Sequence, residues 1–235
     1  MSADAFTAAD AAADRRARLV RPLLIAFLAA CAVDLFGVLA DVPVVHLVAK
    51  PLLMPLLAGY AAARRGPRLL VVALLCGWGG DTLLLSGSGT VFLVGMGSFA
   101  AGHICYLWLF GRARSPLLAA AGYAAVLATF LALLWNGLPA DMRIPMTGYS
   151  LLLTAMAYRA GALGRYAAVG GALFLLSDAL IATGIADWPQ LPAPDFWVML
   201  TYVAAQFLLT VGALAPGVKS PDFTRVAYRE PRIGV

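Results

Sequence analysis

Asp81 and Asp178 each lie inside a long apolar run of the sequence, where ionisable side chains are rare. A charged group in the hydrocarbon of a bilayer costs roughly 3 kcal/mol or more unless it is paired or faces water. Lys50 also lies in an apolar run, but it can neutralise only one of the two carboxylates. Two carboxyl groups that share a low-dielectric site can divide into a proton donor and an anion. We therefore predict that Asp81 and Asp178 form a functional pair, with a structural Lys50–aspartate ion pair as the alternative.

Neutral polar side chains accompany these ions in the apolar runs. The candidates for binding or supporting roles are His103, Tyr106, Tyr149, Ser177, Tyr202 and Gln206. Their imidazole, hydroxyl and amide groups can hold water or a substrate hydroxyl against a carboxylate. Simpler roles stay open for some of them. His103 can bond a backbone carbonyl as a neutral imidazole, and Tyr202 with Gln206, one helical turn apart, can join neighbouring helices.

The composition indicates what kind of scaffold must position these side chains. Of the 235 residues, 62% are hydrophobic and 12% are charged, whereas soluble domains average about 45–50% and 25%. This balance excludes a secreted domain, a cytosolic enzyme and a nucleic-acid-binding protein, and it makes the lipid bilayer the surroundings of the chain. Breaks in the apolar pattern predict an all-α membrane protein with eight transmembrane helices, at about 22–40, 44–63, 69–87, 90–111, 116–136, 144–163, 166–185 and 196–215.

The basic residues predict the orientation of these helices. Fifteen of the 17 lysines and arginines lie before helix 1, in the even-numbered turns or after helix 8, which all fall on one side. By the positive-inside rule that side is the cytoplasm. We therefore predict a cytoplasmic tail over residues 1–21, a transmembrane domain over 22–215 and a cytoplasmic tail over 216–235. The alanine- and arginine-rich, lysine-poor composition indicates a bacterium, so the expected location is the bacterial cytoplasmic membrane, crossed by several helices.

This topology brings four charged residues to one depth, roughly 10 Å from the non-cytoplasmic face at ~1.5 Å per residue. They are Asp34, Lys50, Asp81 and Asp178. The coincidence predicts one polar chamber that opens towards that face, although Asp34 is expected to extend to the nearby interface instead. Helix 5 has no ionisable residue in its apolar run and is expected to serve packing. Similar spacings of Lys50 before Asp81 and of Tyr149 before Asp178 also allow helices 1–4 and 5–8 to be parallel repeats.

The remaining ligand-type residues do not predict a metal site or another cofactor. The two histidines lie far apart in sequence, on helices 2 and 4, and the one glutamate, Glu230, lies in the C-terminal tail. Three cysteines lie in apolar runs without a CxxC spacing and are typical of small buried side chains. A reaction that needs no cofactor is therefore expected.

Five blocks, in this order, resemble the YhhN family of integral membrane proteins. They are Lys50–Pro55 (KPLLMP), Gly79–Asp81 (GGD), Phe99–Tyr106 (FAAGHICY), Gly171–Asp178 (GALFLLSD) and Tyr202–Gln206 (YVAAQ). Their order and spacing carry the resemblance, which runs from helix 2 to helix 8. Animal members of the family are lysoplasmalogenases, so the resemblance implies an eight-helix hydrolase. Its lysophospholipid substrate would be cleaved at a vinyl-ether bond, giving a fatty aldehyde and a glycerophospho head group.

Under this resemblance, Asp81 and Asp178 are the expected catalytic residues. Vinyl ethers hydrolyse by protonation of the β-carbon, which forms an oxocarbenium ion that water captures. The reaction needs a proton donor and a nearby anion, as in the carboxylate pairs of glycosidases. Lys50 would keep one carboxylate ionised or contact the substrate phosphate. His103, Tyr106, Tyr202 and Gln206 would orient water and the glycerol hydroxyl, and Ser177 would hydrogen-bond its own helix or Asp178.

Three other functions fit parts of the pattern. A proton-coupled transporter of lipids or small molecules could use the same aspartates and Lys50 as a proton relay. An intramembrane aspartyl protease also uses two aspartates, but its G-x-G-D pattern is absent because Trp78 stands three residues before Asp81. A non-catalytic scaffold would not need several ionisable groups at one depth. An enzyme is therefore the favoured hypothesis, with transport as the alternative.

Overall fold

The computed structural model describes residues 3–86, 89–111 and 116–215, with side chains from Asp14 onward. The described chain is helical throughout its regular elements, which confirms the predicted all-α class. The eight α-helices are α1 (Ala3–Leu39), α2 (Pro43–Ala63), α3 (Arg68–Leu84), α4 (Gly89–Phe110), α5 (Leu117–Leu134), α6 (Arg143–Ala160), α7 (Arg165–Ile185) and α8 (Pro194–Ala213). A short 3-10 turn, Gly161–Leu163, follows α6. The predicted C-terminal tail, 216–235, lies outside the described residues.

Helix α1 begins much earlier than the sequence pattern predicts. The predicted span starts at residue 22, whereas α1 starts at Ala3 and has Pro22 in its interior. Alanine and arginine, which dominate this segment, are among the strongest helix formers. The change from polar to apolar residues therefore marks where α1 enters the hydrophobic layer, and it does not mark where the helix begins.

Six of the described helices are long and apolar enough to cross a membrane: α1 from Asp14, α2, α4, α5, α7 and α8. Large apolar side chains on the outer surface are strongly exposed, such as Phe36, Trp108 and Ile144. Such a surface suits lipid and would be costly in water. The protein is therefore a multi-pass membrane protein. The two helices outside this group, α3 and α6, are a 17-residue helix and a helix that begins with Arg143.

Short turns pair successive helices into antiparallel hairpins, and the closest pairs are α1 with α2, α3 with α4 and α7 with α8. Contacts of α2 with α3, of α6 with α4 and α7, and of α8 with α1, α2 and α3 join the hairpins around the main hydrophobic core. Helix α5 packs mainly on α6 and buries only Leu127 and Leu134. The predicted site residues lie on the closely packed helices.

Candidate active site

A cavity of about 320 Å³ lies among α2 to α8, and both predicted aspartates are in its wall. The polar side chains that line it are Lys50, Asp81, Tyr149, Ser150, Thr154, Ser177, Asp178 and Tyr202. The rest of the wall is mainly apolar and includes Phe92, Met96, Phe130, Leu175 and Ile181. The cavity therefore suits a molecule that has a polar part and an apolar part.

The polar groups reach the cavity from helix ends that lie at one face of the bundle. Lys50 comes seven residues after the start of α2, and Asp81 comes three residues before the end of α3. Asp178 comes seven residues before the end of α7, and Tyr202 comes eight residues after the start of α8. Because successive helices alternate in direction, these counts place the four side chains in one layer of the bundle.

Asp81 ends a chain of buried hydrogen bonds that crosses three helices. The Tyr202 hydroxyl on α8 donates to Asp81 Oδ2 at 2.6 Å and accepts a longer bond from Gln206 Nε2 at 3.4 Å. Gln206 Oε1 accepts from the Tyr106 hydroxyl of α4 at 2.7 Å. Asp81, Tyr202, Gln206 and Tyr106 are all buried. The chain holds Asp81 in one orientation, because each polar group in it has a partner.

Asp178 has a shorter chain of the same kind. The Tyr149 hydroxyl on α6 donates to Asp178 Oδ2 at 2.5 Å, and its oxygen lies 3.1 Å from His103 Nε2 on α4. Since that hydroxyl proton goes to Asp178, the geometry favours the His103 tautomer with the proton on Nε2. His103 is buried, and its ring lies edge-on to Phe174 at 4.8 Å between centroids. The partner of His103 Nε2 is therefore the hydroxyl of Tyr149, and not the backbone carbonyl that the sequence left open.

Ser177 bonds neither its own helix nor Asp178, so that prediction is wrong. Its hydroxyl donates to the carbonyl oxygen of Val198 on α8 at 3.0 Å. The reason is the close approach of α7 to α8, where a Cβ on Gly170 would lie 2.8 Å from the backbone nitrogen of Leu209. Ser177 therefore ties together the helices that carry Asp178 and Tyr202.

Two glycines of α3 make the approach of the neighbouring helices possible. A Cβ on Gly77 would lie 3.1 Å from Gln206 Nε2 and 3.2 Å from the Tyr202 hydroxyl. A Cβ on Gly80 would lie 2.4 Å from the ring of Phe99, a distance that real side chains do not adopt. The glycines before Asp81 thus leave space for its hydrogen-bonding partners and for the aromatic ring beside it.

Asp34 does not extend to the membrane interface, and this expectation is wrong. Its side chain is fully buried, and its Oδ1 lies 2.9 Å from Nδ1 of the half-buried His46 on α2. The cause is its position on the face of α1 that packs against α2. There, a Cβ on Gly37, three residues on, would overlap Val45. Asp34 is not among the residues that line the cavity, so only three of the four charges predicted at one depth share it.

Helix α5 does more than pack, because Val126, Leu127 and Phe130 close one side of the cavity. Sequence reasoning missed these residues, as well as Ser150 and Thr154 of α6. An apolar side chain that faces a cavity has the same chemistry as one that faces lipid, so the wall carries no signal in a single sequence. The ionisable residues stood out because their type disagrees with their apolar surroundings.

Comparison with known proteins agrees with the predicted resemblance. The sequence profile of the YhhN family matches residues 45–213. Lysoplasmalogenase TMEM86B of Homo sapiens is 38% identical over 157 residues, which are 66% of this chain and 67% of that protein. The Rattus norvegicus protein of the same name is 37% identical over 176 residues, 73% of each chain. Lysoplasmalogenase of Mycobacterium bovis is 35% identical over 175 residues, 67% of this chain and 66% of that protein.

No solved structure matches the chain. The region matched by the family profile begins in the first turn of α2 and ends with the last residue of α8. It therefore contains every residue in the wall of the cavity. On the extent of this match and the identity to its relatives, the chain belongs to the YhhN family.

Proposed function

We propose that this protein hydrolyses the vinyl-ether bond of lysoplasmalogen-type lysolipids within the membrane. The products are a fatty aldehyde and a glycerophospho head group. Relatives from mammals and mycobacteria that are 34–38% identical carry the name lysoplasmalogenase. The observation that carries the proposal is the presence of two aspartates in the wall of one amphiphilic cavity inside a membrane protein.

The proposed topology has eight membrane crossings with both termini in the cytoplasm of a bacterium. The short α3 is about 25 Å long at 1.5 Å per residue, close to the ~30 Å of a hydrocarbon core. Helix α6 packs between α4, α5 and α7, so its polar side chains are shielded from lipid. The distribution of basic residues supports this orientation. Lys50 precedes Asp81, and Tyr149 precedes Asp178, by a similar number of residues. This similarity supports two parallel repeats within the proposed topology.

A lysolipid suits the cavity because the molecule and the cavity wall each have a polar part and an apolar part. The alkenyl chain would lie along the wall formed by Phe92, Met96 and Phe130, while the glycerol and phosphate face the polar groups. Lys50 is the cation in this wall, and it can contact the phosphate or support the charge of a nearby carboxylate. Helix α5 packs loosely at the edge of the bundle and closes one side of the cavity, so the chain would enter sideways from the bilayer past this helix.

In the proposed reaction, one aspartic acid protonates the β-carbon of the vinyl ether. The resulting oxocarbenium ion is stabilised by the second, anionic aspartate, and water adds to its carbon. The water loses a proton to a carboxylate, and the hemiacetal breaks into an aldehyde and the glycerol hydroxyl. One water is consumed, and the carboxyl groups return to their starting protonation, so the cycle requires no other reactant.

The hydrogen-bonded side chains have supporting roles in this proposal. Tyr202 and Tyr149 orient the two carboxyl groups, each through a direct bond. Gln206 and Tyr106 hold Tyr202, and His103 holds Tyr149. Ser177 joins α7 to α8 beneath them. These residues fix the positions of the reacting groups, which is a large part of catalysis in a pre-organised site.

The experiment that tests the proposal measures aldehyde release from a lysoplasmalogen by the purified protein in detergent. The D81N variant serves as the matched control, since it keeps the shape of the side chain and removes its acid–base chemistry. We expect release by the native protein and none above background by the variant. A transporter would break no bond and would release no aldehyde. If the folded native protein released none from lysoplasmalogens of any head group, at any pH tested, the proposal would be contradicted.

A further inference from the structure

A second pocket lies at the face of the bundle opposite the two aspartates of the cavity. It lies on α1, far from the buried Asp34. It is open, has a volume of about 650 Å³ and is lined by Asp14, Ala17, Arg18, Val20, Arg21 and Arg64. The lining contains three arginines and one aspartate, which leaves the pocket positively charged. It shares no residue with the cavity that contains Asp81 and Asp178.

Arg64, the residue that follows α2, is held in place by a side chain of that helix. Arg64 Nη1 donates to the Tyr60 hydroxyl at 3.2 Å, and its guanidinium carbon lies 5.9 Å from the centre of the Tyr60 ring. Tyr60 is itself buried in the core. The planar guanidinium presents several donors in a fixed fork, which suits a phosphate group. Because Arg64 is anchored, less conformational freedom is lost when an anion binds.

The pocket lies where the helices leave the apolar layer. Helix α2 ends at Ala63, directly before Arg64, and the apolar run of α1 begins after Arg21. The whole of α1 has 37 residues, about 55 Å, whereas the hydrocarbon core is about 30 Å thick. Its N-terminal part therefore extends beyond the hydrocarbon, and the arginines lie at the level of the lipid head groups. In the proposed orientation this is the cytoplasmic leaflet.

An exposed apolar stripe continues from the arginines along the same flank of α1. Arg18, Arg21, Ile25 and Leu28 follow one another at spacings of three, four and three residues, which keeps them on one side of a helix. Ile25 is 66% exposed and Leu28 is 51% exposed. A cationic pocket directly above an apolar strip matches a molecule with an anionic head and hydrocarbon chains. A free phosphate has no hydrocarbon chain and would make no contact with the apolar strip.

We propose that this pocket binds an anionic phospholipid of the surrounding leaflet. The phosphate lies between Arg18, Arg21 and Arg64, and an acyl chain lies along Ile25 and Leu28. Basic pockets between membrane helices bind anionic lipid head groups through these same forces. The binding does not depend on hydrolysis at the aspartates, because the two sites have no residue in common.

The test uses the full chain in detergent and counts bound lipids by native mass spectrometry. The probes are phosphatidylglycerol, phosphatidylcholine with the same chains, and glycerol phosphate as the head group alone. We expect phosphatidylglycerol to bind at least tenfold more tightly than the other two. Binding should weaken as salt is raised, since the pocket is exposed and its charges are screened.

The matched variants are R18Q/R21Q and R15Q/R16Q, which remove two charges each from the same exposed segment of α1. Arg15 and Arg16 do not line the pocket. We expect R18Q/R21Q to weaken binding of phosphatidylglycerol about thirtyfold and R15Q/R16Q to change it less than threefold. R64Q, from the other helix, should weaken it about fivefold. Circular dichroism checks that each variant is folded.

Three outcomes would overturn the proposal. Equal weakening by the two double variants would show general attraction to a basic helix, without a defined pocket. Equal binding of phosphatidylcholine would remove the role of lipid charge. Tight binding of glycerol phosphate would indicate a phosphate site that does not use the apolar strip.

Discussion

Each aspartate of the cavity accepts a hydrogen bond from a tyrosine hydroxyl, but the side chains beyond the two tyrosines differ. Asp81 is 2% exposed and accepts from Tyr202, which continues through Gln206 to Tyr106. Asp178 is less deeply buried and accepts from Tyr149, which continues only to His103. Lys50 lies in the wall of the same cavity.

The difference teaches how one residue type can supply two roles. In a shared cavity, a nearby cation stabilises one carboxylate as an anion, whereas a second carboxyl group close to that anion favours keeping its proton. We propose on this basis that one aspartate of the pair stabilises the oxocarbenium ion and that the other donates the proton. The pair shares one cavity, so the charge of each group depends on the other.

The largest expected effect comes from removing either carboxylate. D81N and D178N should each lower kcat by about a thousandfold or more, because proton donation and charge stabilisation are both needed. The double variant should lose little further activity, since the two groups act as a unit. Aldehyde release in detergent measures this, with circular dichroism as the check on folding. Substantial turnover by either single variant would remove that aspartate from the reaction.

The next largest effect is expected at Lys50. K50M is expected to lower kcat about a hundredfold with KM changed less than threefold, because the anionic aspartate loses the cation in the wall of its cavity. K50R keeps the charge and should restore most of the activity. Steady-state kinetics with a lysoplasmalogen separate the two parameters. A raised KM with unchanged kcat would instead assign Lys50 to the substrate phosphate.

The two tyrosines sharpen the comparison further. Y202F removes the donor to Asp81 and leaves Gln206 without its bond to the hydroxyl, so we expect about a thirtyfold loss of kcat and a lower melting temperature. Y149F should cost about tenfold in kcat with a smaller change in melting temperature, since its chain is shorter. Kinetics and thermal unfolding in detergent give both numbers. If Y202F and Y149F lowered the melting temperature equally, the longer chain of hydrogen bonds would add no rigidity around Asp81.

The smallest effect on turnover is expected at the third buried carboxylate. Asp34 pairs with His46 between α1 and α2 and does not line the cavity. H46A should lower the free energy of unfolding by about 2 kcal/mol, because a buried carboxylate loses its partner. Activity of the protein that remains folded should fall less than threefold. A loss as large as that of D81N would make Asp34 a third member of the catalytic group.

Much of the architecture was predictable because its causes are local. Apolar runs broken by Gly, Pro and charged turns predicted seven of the eight helices to within a few residues, and α1 differed only at its start. The membrane environment followed from composition. Asp81, Asp178 and Lys50 were recognisable because a charged side chain in an apolar run conflicts with its surroundings.

The choice of partners depended on the tertiary structure. Asp34 and Asp81 look alike in sequence, yet one pairs with His46 between α1 and α2, and the other lies in the cavity. Ser177 bonds Val198 of the next helix, and His103 bonds Tyr149, 46 residues away. Each of these contacts depends on which helix faces meet and how closely they approach. The sequence alone determined the helices, their membrane setting and the charged residues within them, because propensity and the cost of burying charge act locally. Only the packing of the helices decided which of those residues share a cavity, because that depends on contacts between distant parts of the chain.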